Sequence, residues 1–205
     1  MKIVQKTMVL FLSAALCALV FSCAGASAPA AEVDFTTGIL ATGEWMTYSD
    51  IEGDGGSSTA EMVIAEEEID GASVTTYSVT GNVTTQFRYG FAGWGLDADE
   101  ETLERYKTAR ALSFKIIGDG SRYTIKFKLR TVTDHCYHEF TFPTTAGEVM
   151  KVEVPMRFFM QPSWGDAVRF NQAQVIGVEW QTHESSRTAA NNPFSVKMWD
   201  FLIHP

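Results

Sequence analysis

The chain has little material for covalent cross-links, because its 205 residues include only three cysteines. Cys17 lies in an N-terminal segment that we expect to be removed, and Cys23 lies at the end of that segment. Cys136 would then be the one cysteine in the body of the mature domain, so we expect no intramolecular disulfide. A domain of this size must therefore gain its stability from a hydrophobic core.

Basic residues are also scarce in this chain. It has 16 lysines and arginines against 25 aspartates and glutamates, which gives a net charge of −9 at pH 7. Attraction to a phosphate backbone requires the opposite balance of charge. We therefore expect no nucleic acid among its partners.

The common catalytic motifs are missing as well. The sequence has no G-x-S-x-G nucleophile elbow and no Walker loop. The glycine-rich segment 53–56 lacks the lysine and the following helix that phosphate binding needs. On a strand, the histidines at 135 and 138 would point to opposite faces and could not chelate one metal ion. We therefore expect a protein that is not an enzyme.

The longest apolar run lies at the N-terminus, where Lys2 and Lys6 precede residues 8–21. This run is shorter than the roughly 20 residues that a membrane-spanning helix needs. A charged start, a short apolar centre and small residues after it are typical of an export signal. We expect residues 1–22 to be a signal peptide.

The end of this run, Val20-Phe21-Ser22-Cys23, resembles a bacterial lipobox, which is cleaved before a cysteine whose thiol is acylated. The resemblance implies lipidation of Cys23 and an exported protein of the bacterial cell envelope, attached to a membrane through its lipid anchor only. Phe21 is bulkier than the residue usual at its position. Ordinary cleavage near Ala28 or Ala30 is the alternative.

Aromatic residues, by contrast, are abundant at 12% of the chain, and they fall in short segments of alternating polarity. Tyr123–Arg130 is the clearest, with apolar residues at odd positions and polar residues at even positions. The other predicted strands are Glu44–Tyr48, Ser58–Ile64, Ala72–Val79, Phe87–Ala92, Leu112–Ile117, Tyr137–Phe142, Met150–Val154, Val175–Gln181 and Phe194–Ile203. The pattern predicts a single all-β domain over residues 33–205 with one helix at Asp99–Ala109. Residues 23–32, rich in Ala, Gly, Ser and Pro, form the expected flexible tether.

Several segments carry a family resemblance through their order and spacing. They are Asp34-Phe35, Trp45, Tyr48-Ser49-Asp50 with the loop 53–58, residues 90–95, residues 112–120 with Tyr123, residues 152–155, Phe158 or Phe159, and residues 199–203. Together they resemble the galactose-binding-like jelly rolls that include family-11 carbohydrate-binding modules and the complex I intermediate-associated protein family. The resemblance implies a jelly-roll β-sandwich of two antiparallel sheets, one of them concave.

Two functions follow from that resemblance. The first is non-catalytic binding of an oligo- or polysaccharide on the concave sheet face. The alternative is a role as a protein-binding or assembly factor for another envelope protein, in the manner of the intermediate-associated family. Fold alone does not decide between them.

Candidate ligand-binding residues lie on the polar face of the Tyr123 strand and on its neighbour. Lys126, Lys128 and Arg130 can donate hydrogen bonds to hydroxyls or to a carboxylated sugar, although a solvated charged face is the alternative. If the segment 137–142 pairs with this strand, Tyr137 and Glu139 share the face with the lysines.

Sugar rings also stack on aromatic side chains, so an aromatic platform is expected beside these polar groups. Tyr48 and Trp94 are the leading candidates, and Tyr77, Tyr89 and Trp180 are weaker ones. Each of these rings could instead be part of the core.

A structural Ca²⁺ is the one cofactor that the resemblance implies, held between the first and last strands. Asp34 and Asp200 stand at the matching positions, and carboxylate oxygens suit this ion. Exposed acids at strand ends are the alternative.

Overall fold

The computed structural model describes residues 32–51 and 55–205. The predicted signal peptide, the lipidation residue Cys23 and all of the predicted tether except Glu32 lie outside these residues. Residues Glu32–Pro205 form one compact unit. No helix in the described residues is long and apolar enough to cross a membrane.

The described residues form eleven strands and one α-helix. In chain order they are β1 (Ile39–Leu40), β2 (Gly43–Ser49), β3 (Thr59–Ile69), β4 (Ala72–Thr84), β5 (Ala92–Ala98), α1 (Glu100–Tyr106), β6 (Ala111–Ile117), β7 (Arg122–Leu129), β8 (His138–Pro143), β9 (Val149–Pro155), β10 (Val175–Thr182) and β11 (Asn191–His204). Most predicted strands are present with their ends shifted by a few residues. The alternation of buried and exposed side chains typical of a half-buried strand is clearest in β9 and in the first half of β11.

The strands form two antiparallel sheets that pack face to face around the core. The six-stranded sheet has the order β3-β4-β11-β6-β9, with β1 paired to β11, and the five-stranded sheet has the order β2-β5-β10-β7-β8. The predicted all-β sandwich of two antiparallel sheets is confirmed. Apart from the β3–β4 and β7–β8 pairs, neighbouring strands are not consecutive in the chain, so the sheet order decides which side chains meet.

Stacked aromatic rings fill the centre of the core. Trp94 and Trp180 are directly paired across β5 and β10, and their rings stack with centroids 6.1 Å apart. Trp45 stacks on Trp180 from β2 and on Tyr77 from the opposite sheet, at 5.8 and 4.0 Å. Large buried rings remove much apolar surface from water and fix the separation of the two sheets.

The predicted strand Phe87–Ala92 is wrong, because the chain forms bends and turns there and the strand begins only at Ala92. Glycines at 93 and 95 lie on the outward side of β5, while Ala92, Trp94 and Leu96 are buried. Glycine contributes no side chain to the polar half of the alternation, so the pattern that reveals a strand was hidden.

The predicted helix is present but shorter than Asp99–Ala109. The Asp99 carboxylate accepts a hydrogen bond from the Thr102 backbone N–H at 2.9 Å, which satisfies a free donor of the first turn. Tyr106, at the other end, is buried with its ring edge-on to Phe127 at 5.6 Å.

Candidate functional site

The outward-facing side chains of the five-stranded sheet, which we call the outer face, form rows across the strands. The central row consists of Met46, Gly95, Glu179, Lys126 and Glu139, one from each strand. The tyrosine row beside it consists of Tyr48, Gly93, Gln181, Thr124 and Thr141. Side chains directly opposite on neighbouring strands lie about 5 Å apart, so each row is a continuous line of potential contacts.

A charge network occupies the middle of the outer face. Lys128 Nζ lies 2.8 Å from Asp97 Oδ1 and 3.6 Å from Glu179 Oε1. The side chains of Lys128 and Glu179 are each only 18% exposed. Lys126 lies between Glu179 and Glu139 in the sheet register. Paired charges that are partly removed from water hold one another in fixed orientations.

Burial shifts the ionisation of this network. It raises the pKa of both Glu179 and Glu139, and the neighbouring lysine charges only partly oppose the change. It lowers the pKa of Lys126, with Glu139 and Glu179 acting in the opposite direction. Burial by itself would lower the pKa of Lys128 as well. The hydrogen bond to Asp97 and the nearby charge of Glu179 outweigh it, so the pKa of Lys128 is raised overall. Lysine and carboxylate side chains therefore act on one another's ionisation across the face.

Three glycines leave the middle of the outer face without side chains. Gly93 and Gly95 lie on β5, and Gly177 lies on β10 opposite Asp97 and Lys128. A Cβ at Gly93 would stand 2.1 Å from the Trp180 carbonyl oxygen and 2.8 Å from the Tyr48 hydroxyl. All three glycines are buried, because side chains of neighbouring residues, Tyr48 and Glu179 among them, lie over these positions.

Tyr48 lies across this glycine-lined strip. Its hydroxyl is 3.3 Å from the Trp180 carbonyl oxygen and 3.4 Å from Gln181 Oε1. Burial raises the pKa of the Tyr48 hydroxyl well above its ordinary value, so the group stays protonated. Tyr48 as a whole is partly buried, so part of the residue remains accessible beside the charge network.

The predicted pairing of the Tyr123 strand with its neighbour is confirmed, because Lys126 and Glu139 are directly paired across β7 and β8. Tyr137 precedes β8 on the same parity as Glu139. It is buried, and its pKa is raised first by that burial and then by Glu179, while Lys128 lowers it. Lys126, Lys128, Tyr137 and Glu139 thus share the outer face, and their role in binding stays a prediction.

Trp94 does not belong to this site. It is fully buried between the sheets, with Trp180 stacked on it, so no ligand can reach the ring. Gly93, Gly95 and Asp97 of β5 face outward, whereas Trp94 faces inward. Trp180 and Tyr77 are likewise core rings.

Arg130 and Tyr89 are exposed but lie outside the rows. β7 ends at Leu129, and the Arg130 backbone N–H donates to the Gln174 carbonyl at 2.8 Å. Arg130 therefore does not extend the line of lysines along the strand. Tyr89 lies in the loop before β5, with Phe87 edge-on to it at 5.8 Å.

The structure gives the two predicted calcium ligands different partners. The Asp34 carboxylate accepts hydrogen bonds from the Thr36 N–H and hydroxyl, at 2.8 and 2.6 Å. Asp200 has a left-handed backbone, with φ 52°, and pairs with Lys115 at 3.0 Å. Among residues 32–51 and 55–205, no three His, Cys, Asp or Glu side chains gather as a metal site. These side chains do not fit a shared calcium site, and calcium binding stays a prediction of the resemblance.

Sequence reasoning missed three polar residues of the outer face, namely Asp97, Glu179 and Gln181. The last two alternate with the buried Val178 and Trp180 in β10, so their parity was visible in the sequence. What the sequence did not show is that β10 lies between β5 and β7. That order brings Glu179 and Asp97 to Lys128.

A depression of about 420 Å³ lies on the outer side of the six-stranded sheet. It is lined mainly by small polar residues such as Ser78, Thr80 and Ser195, together with Asp119 and Lys197. No aromatic ring lines it in the described part of the chain. The five-stranded sheet is therefore the better candidate for recognition of a sugar.

The two antiparallel sheets define a jelly-roll β-sandwich. The chain is similar to a family 11 carbohydrate-binding module from Clostridium thermocellum, solved in complex with a β-1,3-1,4-mixed-linked tetrasaccharide. The TM-score is 0.51, the identity is 18%, and the match covers 83% of this chain and 92% of that one. The family 11 module of a cellulosomal cellulase from the same organism is similar at 17% identity and a TM-score of 0.49, covering 83% of this chain and 91% of that one. At these identities the likeness shows the fold.

The family assignment comes from sequence. The model of complex I intermediate-associated protein 30 matches residues 33–194, and the chain belongs to that family. No curated protein matches the chain in sequence.

Proposed function

We propose that the domain binds a neutral oligo- or polysaccharide on the outer face of the five-stranded sheet, without catalysis. The observation that carries the proposal is the outer face itself, on which Tyr48 packs over the glycines of β5 and the Lys126 and Lys128 network lies on the neighbouring strands. A sugar needs an aromatic surface for its C–H groups and oriented donors and acceptors for its hydroxyls. The outer face offers both within one sheet.

The charge balance of the face favours a neutral ligand over an acidic one. Lys128 is already paired with Asp97 and lies beside Glu179, and Lys126 lies between Glu179 and Glu139. A sugar carboxylate would meet three protein carboxylates as well as two lysines. Hydroxyls, by contrast, can both accept from the lysines and donate to the carboxylates.

The solved relative with a TM-score above 0.5 supports this proposal through its bound ligand. That module was solved with a β-1,3-1,4-mixed-linked tetrasaccharide. Mixed-linked β-1,3-1,4 oligosaccharides from trisaccharide to hexasaccharide, with the β-1,3- and β-1,4-linked disaccharides, are therefore the first probes. A glycan array that includes uronic acid polymers extends the search.

The test is calorimetric titration of variants of the outer face. Lys128→Ala should weaken binding by roughly 1 kcal/mol or more, about five-fold in affinity, because it removes a charge-assisted hydrogen-bond donor. Tyr48→Ala and Tyr137→Ala should also weaken it. Lys197→Ala is the matched control, because Lys197 forms a comparable ion pair with Glu67, at 2.7 Å, in the other sheet. Wild-type affinity in all three outer-face variants would place the binding elsewhere.

A second candidate function is assembly of another envelope protein, favoured by membership of the complex I intermediate-associated protein 30 family. The edge strand β3 supports it, because Val63 and Ile64 are exposed there by 65% and 52%. Such an edge can pair with a strand of another protein. If the wild-type domain binds no glycan on the array, this candidate takes first place.

We further propose that the domain is displayed at the bacterial cell envelope by a lipid on Cys23. The support is the sequence alone, through the apolar run that stops at this cysteine and the tether-like residues after it.

A further inference from the structure

The outer face continues past β8 onto a segment with no regular strand, residues 160–168. Met160 pairs with Glu139 through two backbone hydrogen bonds, of 2.9 and 3.0 Å. Directly paired residues of an antiparallel ladder have their side chains on the same side of the sheet. Met160 therefore extends the central row by one place, and it is 67% exposed.

Hydrogen bonds hold the 160–168 segment against residues 134–136. The Gln161 amide donates to the carbonyls of Cys136 and Asp166, at 2.7 and 2.9 Å, and accepts from the Val168 N–H at 2.8 Å. The Asp134 carboxylate accepts from the N–H groups of Cys136 and Asp166, at 3.0 and 2.7 Å. A loop with this many internal bonds has little conformational freedom left to lose when it binds a ligand.

This braced loop displays a tryptophan. Trp164 is 65% exposed, whereas Trp94, Trp180 and Trp199 are buried. Within the described residues no other ring packs on its indole. The backbone of Trp164 contacts the Cys136 thiol. Cys136 directly precedes Tyr137 of the outer face in the sequence. An indole held at the surface on a rigid support, beside a polar face, has the placement of a stacking platform.

We infer that Trp164 stacks on a sugar ring of a glycan chain that crosses the strands from Tyr48 on β2, past the lysines, to the 160–168 segment. This inference rests on the proposed function. From β2 to Met160 the central row spans five inter-strand spacings, roughly 24 Å. That distance suits an oligosaccharide of several sugar units, so the ligand is the interior of a linear chain and not a single terminal sugar.

The chain length of the ligand gives the first test. Trp164→Ala should weaken binding of the mixed-linked hexasaccharide by about five-fold or more, since a stacked ring contributes on the order of 1 kcal/mol. It should leave disaccharide affinity unchanged, because a disaccharide bound beside Tyr48 does not reach the loop. Trp164→Phe should restore most of the loss. Val63→Ala, at a residue of equal exposure on the other sheet, is the control.

Tryptophan fluorescence gives a second readout, because Trp164 is the most exposed indole of the described residues. Acrylamide should quench a component of the wild-type emission that is missing from Trp164→Phe, and the hexasaccharide should protect that component. Two results would overturn this inference and leave the proposed function standing. In the first, the wild type binds the hexasaccharide and Trp164→Ala binds it with the same affinity. In the second, the bound hexasaccharide does not protect the Trp164 emission from quenching. Failure of the wild-type domain to bind any glycan overturns the proposed function, and this inference with it.

Discussion

A methyl group at position 93 would collide with the backbone of the next strand. The nearest atom to an added Cβ is the Trp180 carbonyl oxygen at 2.1 Å, followed by the Tyr48 hydroxyl at 2.8 Å. The carbonyl is fixed by the β5–β10 ladder, so Tyr48 and β5 would have to move. Glycine at this position is therefore what lets the Tyr48 side chain lie flat across the strip.

We expect Gly93→Ala to lower the free energy of unfolding by about 1–3 kcal/mol, the usual cost of an overpacked position. Gly95→Ala is the matched comparison on the same strand and face, and its nearest contacts are looser, at 3.0 and 3.2 Å. Gly95→Ala should lower the free energy of unfolding by clearly less than Gly93→Ala does. Urea denaturation of both variants measures the difference, and equal stabilities would contradict the placement of Tyr48 over Gly93.

Single residues also show where sequence reasoning succeeds and fails. Lys126 and Lys128 were placed correctly because their parity on a strongly alternating strand is a local property. The sequence interpretation places Trp94 on the ligand-binding face, and this is wrong. Its two neighbours are glycines, so no alternation of polar and apolar side chains indicates which face the tryptophan takes. Asp97 lies 31 positions from Lys128, and the contact between them depends on strand order. No local pattern carries that information.

At the scale of the elements, the Asp134 carboxylate accepts two of the hydrogen bonds that hold the 160–168 segment in place. The hydrogen bonds from the Asp166 and Cys136 N–H groups lower the pKa of Asp134 below its ordinary value of 3.8. A carboxyl group with a lowered pKa in the folded state stabilises that state above its unfolded pKa. This contribution is lost as the pH falls through the folded pKa.

The 160–168 loop should therefore stay ordered at neutral pH and lose its order below about pH 3.8, the pKa of the Asp134 carboxyl group in the unfolded chain. Asp134→Ala should loosen the loop at all pH values, since it removes both acceptors. Asp134→Asn keeps one acceptor oxygen and should show an intermediate effect without the acid transition. Hydrogen exchange at the Asp166 N–H and fluorescence anisotropy of Trp164 report the change. Equal exchange rates in the wild type and Asp134→Ala would contradict this prediction, because they would show that the other hydrogen bonds keep the loop ordered without Asp134.

The elements themselves were largely predictable, because short alternating segments separated by turn residues define strands locally. The 160–168 segment was not, since it has neither periodicity nor a motif and joins the sheet through one bridge. Its exposed tryptophan, Trp164, was visible in the sequence. What was missing was the knowledge that its loop lies at the end of the outer face.

At the scale of the whole molecule, electrostatic attraction cannot hold an acidic domain at a membrane with anionic lipids. With a net charge of −9 the chain has no general attraction to anionic lipid headgroups. A covalent lipid would supply the attachment, and more than one acyl chain is needed for stable anchoring.

We therefore predict that Cys23→Ser shifts the protein from the membrane fraction to the soluble fraction, because it removes the residue that we expect to be acylated. Cys17→Ser, six positions earlier within the predicted signal, is the matched control and should leave the protein membrane-bound. Fractionation with immunoblotting measures the distribution, and mass spectrometry identifies the N-terminus of the mature protein. An unmodified N-terminus at Gly25 or beyond would support ordinary cleavage instead, and the domain would then act free of the membrane.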